Sequence, residues 1–387
     1  MNKGLLSVDE ALEVLLAGAT PVADIEEVST LEATGRVLAR AQSSTMDVPP
    51  MDNSAMDGYA VRVADIVGPE TRLRVAQRIA AGSVGEALAA GTAARIFTGA
   101  PIPPGADAVV MQEFCAVDGD HVVVKKKPQP EEWVRRAGSD IRSGGAVLAE
   151  GIKLRPQDTG LAASVGIKNL PVRRKVKLAL FFTGDELVMP GDPLPPGRIY
   201  NSNRFTLNGM AKQFGCEVRD YGIVPDDLAA TREVLRRAAV DNDLIVTSGG
   251  VSVGDEDHVK PAVEAEGSLL MWKIAMKPGR PLAFGKVGHA AFIGLPGNPV
   301  SSFVTFLIFV RPVLLKTQGI ADVAPRFLDA RADFTGTAPK TAGTSRGRPC
   351  GSPGWPGCRP GRRPRPWRSS PPNPASGKCP RHRRHSI

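Results

Sequence analysis

From residue 176 to residue 318, short apolar runs alternate with amphipathic stretches in the manner of a parallel β-sheet flanked by helices. The pattern predicts strands over 176–182, 217–224, 243–248, 269–276, 282–287 and 290–295. Helices are expected to start after Asn201, after Asp226 and at Pro299. The run FVTFLIFVRPVLL within the last of these is too apolar for an exposed face, which predicts a core helix or one that pairs with another subunit.

The rest of the 387-residue chain reads differently, and its length implies two to four domains. Ser7 and Glu10 stand in capping-box spacing before Leu12, Leu15 and Leu16, so a short amphipathic helix is expected over 7–18. Residues 25–45 read as extended segments and turns. Between about 58 and 139, short β-branched runs punctuated by Gly and Pro predict a small β-rich domain. Residues 138–167 return to turns, one strand and one helix, and are expected to pack against the N-terminal helix as a connecting domain. The division is therefore 1–57 and 140–175 for the two parts of a connecting domain, 58–139 for the β-rich domain and 176–320 for the α/β domain.

The net charge of +9 would suggest a nucleic-acid partner, but residues 341–387 hold 11 Lys and Arg with no Asp or Glu. That leaves 38 basic against 40 acidic residues in the body, which is close to neutral. The same 47 residues contain 10 prolines and 7 glycines and almost no aliphatic side chains, a composition that predicts disorder from residue 344 onward. They read either as a basic tail for nucleic acid or as out-of-frame translation of a GC-rich gene, and the second reading is preferred. Cys115 and Cys216 stand alone in the body without metal-ligand spacing, as small buried apolar residues would. No run of about 18 uncharged apolar residues occurs and the start carries acids, so a cytoplasmic protein is expected.

Ligands of open parallel sheets bind beyond the carboxyl ends of the strands. The runs at those ends are Thr183-Gly-Asp-Glu186, Pro225-Asp-Asp227, Ser248-Gly-Gly-Val-Ser-Val-Gly-Asp255 and Leu295-Pro-Gly-Asn-Pro299. Singly each is ordinary turn chemistry, and Asp226 could be a helix cap. Jointly they nominate Glu186, Asp226, Ser248, Gly249, Gly250, Ser252, Gly254, Pro296, Gly297, Asn298 and Pro299, with Asp257 two residues beyond the third run. Lys273, Lys277 and Arg280 lie within eight residues beside a Pro-Gly turn, as either a solvated edge-strand pattern or an oxyanion clamp. Bare glycine amides and cations suit phosphate, while neighbouring acids suit a divalent cation bridging to it; a metal-bound pyrophosphate wants both. A further loop, residues 47–62, packs Asp52, Asn53, Ser54, Asp57 and Gly58 between prolines and a strand, as a loop shaped for a ligand would.

Six stretches in order, PPMDNSAMDGYAVR (49–62), IFTGAPIPPGADAVVMQE (96–113), TGDEL (183–187), SGGVSVGDEDH (248–258), KIAMKPGRP (273–281) and LPGNPVS (295–301), resemble the molybdopterin molybdenumtransferase family, of the bacterial MoeA type and related to the gephyrin E domain. The resemblance runs from about residue 7 to 320. It implies that adenylylated molybdopterin and molybdate give molybdenum cofactor and AMP, with Mg²⁺ as the divalent cation. The sulfur ligands of molybdenum then come from the pterin, which accounts for the missing cysteines. Carried over by motif, Asp57, Thr98, Asp140, Glu186, Asp226, Asp257, Lys273, Lys277, Arg280, Pro296 and Pro299 match the family's cleft residues, with Ser301 beside them. Glu186, Asp226 and Asp257 are assigned to the cation and pyrophosphate. Lys277, Arg280 and Ser301 are assigned to molybdate, and Asp57 and Thr98 to substrate from a partner subunit. The resemblance further implies an elongated homodimer, contact with other cofactor-biosynthesis proteins and recipient molybdoenzymes, and no membrane.

Two departures stand out. Asn201 opens an NSN run where the family often has Asp. Residues 321–343 look like the start of the family's small C-terminal β-barrel, after which the resemblance stops, so that barrel is read as lost. The alternatives are a MogA-like molybdopterin adenylyltransferase, against which the N-terminal motif and the β-rich domain speak, and a non-catalytic dimeric scaffold or inactive form.

Overall fold

In the computed structural model, residues 5–251, 258–276 and 281–324 are described. The expected α/β domain is built on a six-stranded sheet of β1 (Lys177–Thr183), β2 (Glu217–Val224), β3 (Leu244–Ser248), β4 (Gly267–Lys273), β5 (Pro281–Val287) and β6 (Ala290–Leu295). The spatial order is β2-β1-β3-β6-β5-β4. The first four strands run parallel; β5 and β4 join antiparallel, so the sheet is mixed rather than wholly parallel. The reason is local. Only Gly288 and His289 separate β5 from β6, and a two-residue connection can make a hairpin but not a crossover.

Period-two alternation sends each central strand's side chains into two cores. On one face Leu178, Leu180 and Phe182 of β1 pack with Leu244 and Val246 of β3 and Ile293 and Leu295 of β6. Ala179 and Phe181, Ile245 and Phe292 fill the other face. All are buried, and each fully buried Leu or Phe contributes roughly 1.5–3 kcal/mol.

The connecting helices are α1 (Ser202–Gln213), α2 (Leu228–Asp241) and α3 (Val259–Glu266). Asn201 caps α1 by accepting from the Arg204 N–H. The cap of α2 is Asp227, which accepts from the Ala230 N–H at 2.8 Å, so the capping alternative weighed for Asp226 falls one residue away. A last helical stretch runs from Pro299 to Thr317, with a widened π-turn at Phe306–Val310. Pro312 has no N–H to return to the preceding turn, and the widened turn accommodates it. By length and composition this stretch could cross a membrane, but most of it is buried: Phe306, Phe309, Val310, Val313 and Leu314 are core residues.

The N-terminal helix Val8–Gly18 forms with the expected capping box: the Ser7 N–H donates to Glu10, and the Glu10 N–H to Ser7 Oγ. Its partner differs from the expectation. Rather than lying on residues 138–167, it buries Ala11 and Leu15 in the α/β core, against the Pro299–Thr317 helix. The Lys316 ammonium donates to the Leu16 carbonyl, the Val22 N–H to the Thr317 carbonyl, and Leu6 bridges to Ile274. The connecting region instead forms from Ile25–Ser29 paired with Asn169–Arg173 and from Gln42–Ser43 paired with Ala146–Leu148, over a core of Leu38, Leu154, Leu170 and Val172.

The β-rich region is a second six-stranded sheet, ordered Ala108–Met111, Gly58–Val61, Thr92–Ile96, Thr71–Ile79, His121–Val124, Cys115–Asp118. Cys216 is buried, and burial pushes its thiol up to about 12. Cys115 is only half-buried, and its thiol is pushed to about 11 for the same reason. Both stay protonated at neutral pH. The residues read as a barrel remnant and a basic tail, from 325 onward, lie outside the described residues.

Where the connecting region meets β1, the Arg174 guanidinium donates to both Asp243 oxygens at 2.7 and 2.8 Å and to Asp24 at 2.6 Å, and the Lys177 N–H also donates to Asp243. Burial pushes the Asp243 carboxyl up, but these hydrogen bonds outweigh it and hold the group below its ordinary range. A depressed carboxylate stabilises the fold above its unfolded pKa, about 3.9, and that contribution is lost as pH falls through the folded value. Asp243→Ala is expected to cost about 2 kcal/mol in urea unfolding at pH 7, and the difference from the parent should shrink toward pH 3.

Candidate functional site

The carboxyl ends of β1, β2, β3 and β6 gather the four loops nominated by the sequence. After β1, the Asp185 N–H donates to the Asp226 carboxylate at 3.1 Å, and the Asp226 N–H returns a bond to the Asp185 carboxylate at 3.2 Å. This reciprocal pair locks the loop after β1 to the loop after β2. Glu186 is exposed, and its carboxylate curls back over Gly184 so closely that a Cβ there would lie 2.5 Å from Oε2.

After β3, Gly249 and Gly250 adopt φ values of +103° and +61°. A side chain at Gly249 would meet the Thr183 carbonyl at 2.2 Å, and one at Gly250 would meet Thr183 Oγ1 at 2.7 Å. Both positions therefore need glycine on two counts, conformation and space. The Thr183 hydroxyl is buried there and has no hydrogen-bond partner among the described residues.

After β6, Pro296 and Gly297 lead into the helix that Pro299 opens. Asn298 caps that helix by accepting from the Ser301 N–H and hydroxyl at 3.1 and 3.2 Å. The nominated Ser301 is thus committed to the cap. Its neighbour Ser302 faces the glycine loop instead: the Ser302 and Ser248 hydroxyls lie 3.1 Å apart and both donate to the Pro296 carbonyl. The Asn203 amide donates to Ser248 Oγ at 2.9 Å, to the Gly297 carbonyl at 2.7 Å and to Ser302 Oγ at 3.5 Å.

In the β-rich region, Asp57 and Thr98 are brought together across 41 positions. Thr98 donates to Asp57 Oδ1 through its hydroxyl at 2.7 Å and its N–H at 2.8 Å. These two bonds hold the Asp57 carboxyl below the usual range, with Arg95 adding to the effect. Asp140 is exposed and pairs with Arg135 at 2.7 Å. Among the described residues, no hydrogen bond or ion pair joins Asp57, Thr98 or Asp140 to the α/β loops. Lys273 ends β4 opposite Pro281. Ser252, Gly254, Asp257, Lys277 and Arg280 lie outside the described residues.

Among the described residues no group of three metal-binding side chains is found. Mg²⁺ needs fewer protein ligands than that when substrate phosphates complete its shell. Glu186 and Asp226, in loops locked side by side, suit such a role.

The profile of the MoeA N-terminal region (domain I and II) matches residues 6–166, and that of a probable molybdopterin binding domain matches residues 179–316. A molybdopterin molybdenumtransferase of Haemophilus influenzae is 42% identical over 316 residues, covering 81% of this chain and 78% of the relative. The chain belongs to the molybdopterin molybdenumtransferase family. Another relative, molybdopterin molybdenumtransferase 2 of Mycobacterium tuberculosis, is 40% identical and covers 76% of each chain. The crystal structure of a molybdopterin biosynthesis MoeA protein from Pyrococcus horikoshii superposes with a TM-score of 0.72 at 34% identity, over 83% of this chain and 81% of that one.

Sequence reasoning did not single out Asn203 or Ser302 in these loops, and it named Thr183 and Asp185 only as members of a strand-end run. A signal existed for Ser302, which falls four and seven positions before the buried Phe306 and Phe309 and so shares their inward helical face. Asn203 carried none, since a polar residue in a helix's first turn is ordinary.

Two outcomes follow. Thr98→Ala removes the hydroxyl bond, so the Asp57 pKa should rise toward its ordinary value of about 3.9 in an NMR titration. Gly249→Ala should cost roughly 1–3 kcal/mol in denaturant unfolding, because strain and the Thr183 contact act together.

Proposed function

We propose that the chain inserts molybdenum from molybdate into adenylylated molybdopterin and releases AMP. Its role lies in molybdenum cofactor biosynthesis as a transferase, and the N-terminal family match over residues 6–166 argues against a single-domain adenylyltransferase. The observation that carries the detailed reading is the convergence of the four strand-end loops. In it the Gly250 amide is offered to an anion, the Gly249 N–H being bonded to the Leu295 carbonyl at 3.2 Å, while the Asp185–Asp226 pair fixes the loops that carry Glu186 and Asp226.

In this reading the glycine loop and the Asn298 turn hold the phosphates of the substrate, and Lys277 and Arg280 draw in molybdate. Glu186 and Asp226, with Asp257, would hold Mg²⁺, whose charge would offset that of the phosphates. Among the described residues, Asp57 and Thr98 have no bonded partner in the α/β loops of their own chain, which supports a homodimer in which a second copy supplies them. Exposed apolar side chains next to the site, Phe205 at 57% and Val300 at 63%, support the same arrangement. We place the reaction in the cytoplasm, with the product passing to recipient molybdoenzymes.

The test is cofactor delivery. Chain incubated with adenylylated molybdopterin, molybdate and Mg²⁺ should restore activity to a molybdenum-free recipient enzyme, and failure to do so at any molybdate concentration overturns the reading. Arg280→Ala should raise the molybdate requirement at least about tenfold while changing the requirement for the adenylylated pterin far less.

A further inference from the structure

We infer that Asn203 is a positioning residue that couples the glycine loop to the Pro296–Ser302 loop, so that the two halves of the site move as one. The inference rests on the functional reading above in assigning both loops to the substrate's phosphates, where molybdate is exchanged for the adenylyl group. Its structural part stands on the hydrogen bonds alone.

Asn203 is the second residue of α1, and side chains in a helix's first turn lean back toward the helix N-terminus. Here that direction leads beyond the carboxyl ends of β3 and β6. The side-chain amide carries two N–H groups and meets three acceptors, Ser248 Oγ, the Gly297 carbonyl and Ser302 Oγ. Ser248 closes β3 and directly precedes Gly249 and Gly250. Gly297 lies between Pro296 and the cap Asn298. One side chain on a third element thus ties both loops together.

The tie joins others but reaches a different group. Among the described residues, the other links between these loops are the Ser248–Leu295 strand pairing, the Ser248 and Ser302 hydroxyls on the Pro296 carbonyl, the contact between those hydroxyls, and the Gly249 N–H on the Leu295 carbonyl at 3.2 Å. Of these, none reaches the Gly297 carbonyl. Ser248 and Ser302 are almost wholly buried, so a lost donor is not replaced by water without opening the loops. Asn203 itself is only half-buried.

Asn203→Asp keeps the shape and removes the donors, setting a carboxylate against the Gly297 carbonyl. Ser302→Ala leaves the amide bonds to Ser248 and Gly297 in place. In hydrogen–deuterium exchange on the full chain, Asn203→Asp should speed exchange at least about threefold in peptides covering both 246–251 and 294–298, with the β-rich sheet unchanged. Ser302→Ala should do so much less. Acceleration in only one loop, or in neither, overturns the coupling.

The activity readout is the ratio of AMP release with and without molybdate. A purely structural defect lowers both rates together and leaves that ratio intact, whereas uncoupled loops reduce it, here by about tenfold. A parent chain that shows no molybdate-dependent release sinks the functional reading, and the exchange result then decides the coupling by itself. A parent ratio fully preserved in Asn203→Asp sinks the positioning role while leaving the functional reading intact.

Discussion

Four parallel strands that end on one edge are the constraint on which this site depends. Parallel pairing forces every connection to return across the sheet, so each strand delivers its following loop to the same rim. The loops after β1, β2, β3 and β6 then meet without any long-range design beyond the pairing itself. What the sequence adds is chemistry at that rim. Gly249 and Gly250 clear space beside Thr183, Asp185 and Asp226 lock their backbones together, and Asn203 ties the last two loops.

At the opposite end of the sheet the same strands anchor the other regions. Arg174 and Asp243 join the connecting region to β1 and β3 through a bidentate pair that also takes the Lys177 amide. The N-terminal helix adds a second anchor by completing the core under the Pro299–Thr317 helix. Segments about 290 positions apart in sequence are thereby committed to one core.

Much of this was legible in the sequence because it rests on local rules. The strand at 217–224 and the strand at 290–295 fall where the apolar runs place them, and the helices begin at Asn201, Asp227 and Asn298 because their side chains satisfy free N–H groups. The antiparallel turn of β5 onto β6 was missed because the apolar runs report burial and say nothing of direction, although the two-residue gap does. The partner of the N-terminal helix was missed for a related reason. Amphipathicity shows that a face is buried, and Ala11 and Leu15 would suit either core. Among the candidate residues, Asp57 and Thr98 were nominated by motif and pair with each other, while Asn203 depends on contacts 45 to 99 positions away, Ser302 among them, that no local spacing encodes.

The central claim is that this rim cleaves adenylylated molybdopterin in answer to molybdate. Direct measurement of AMP released from adenylylated molybdopterin and Mg²⁺ by the full chain, with molybdate as the only variable, tests it. The account predicts slow release without molybdate and a clear stimulation that saturates as molybdate is added. AMP release at the same rate with and without molybdate, or none in either case, would contradict it.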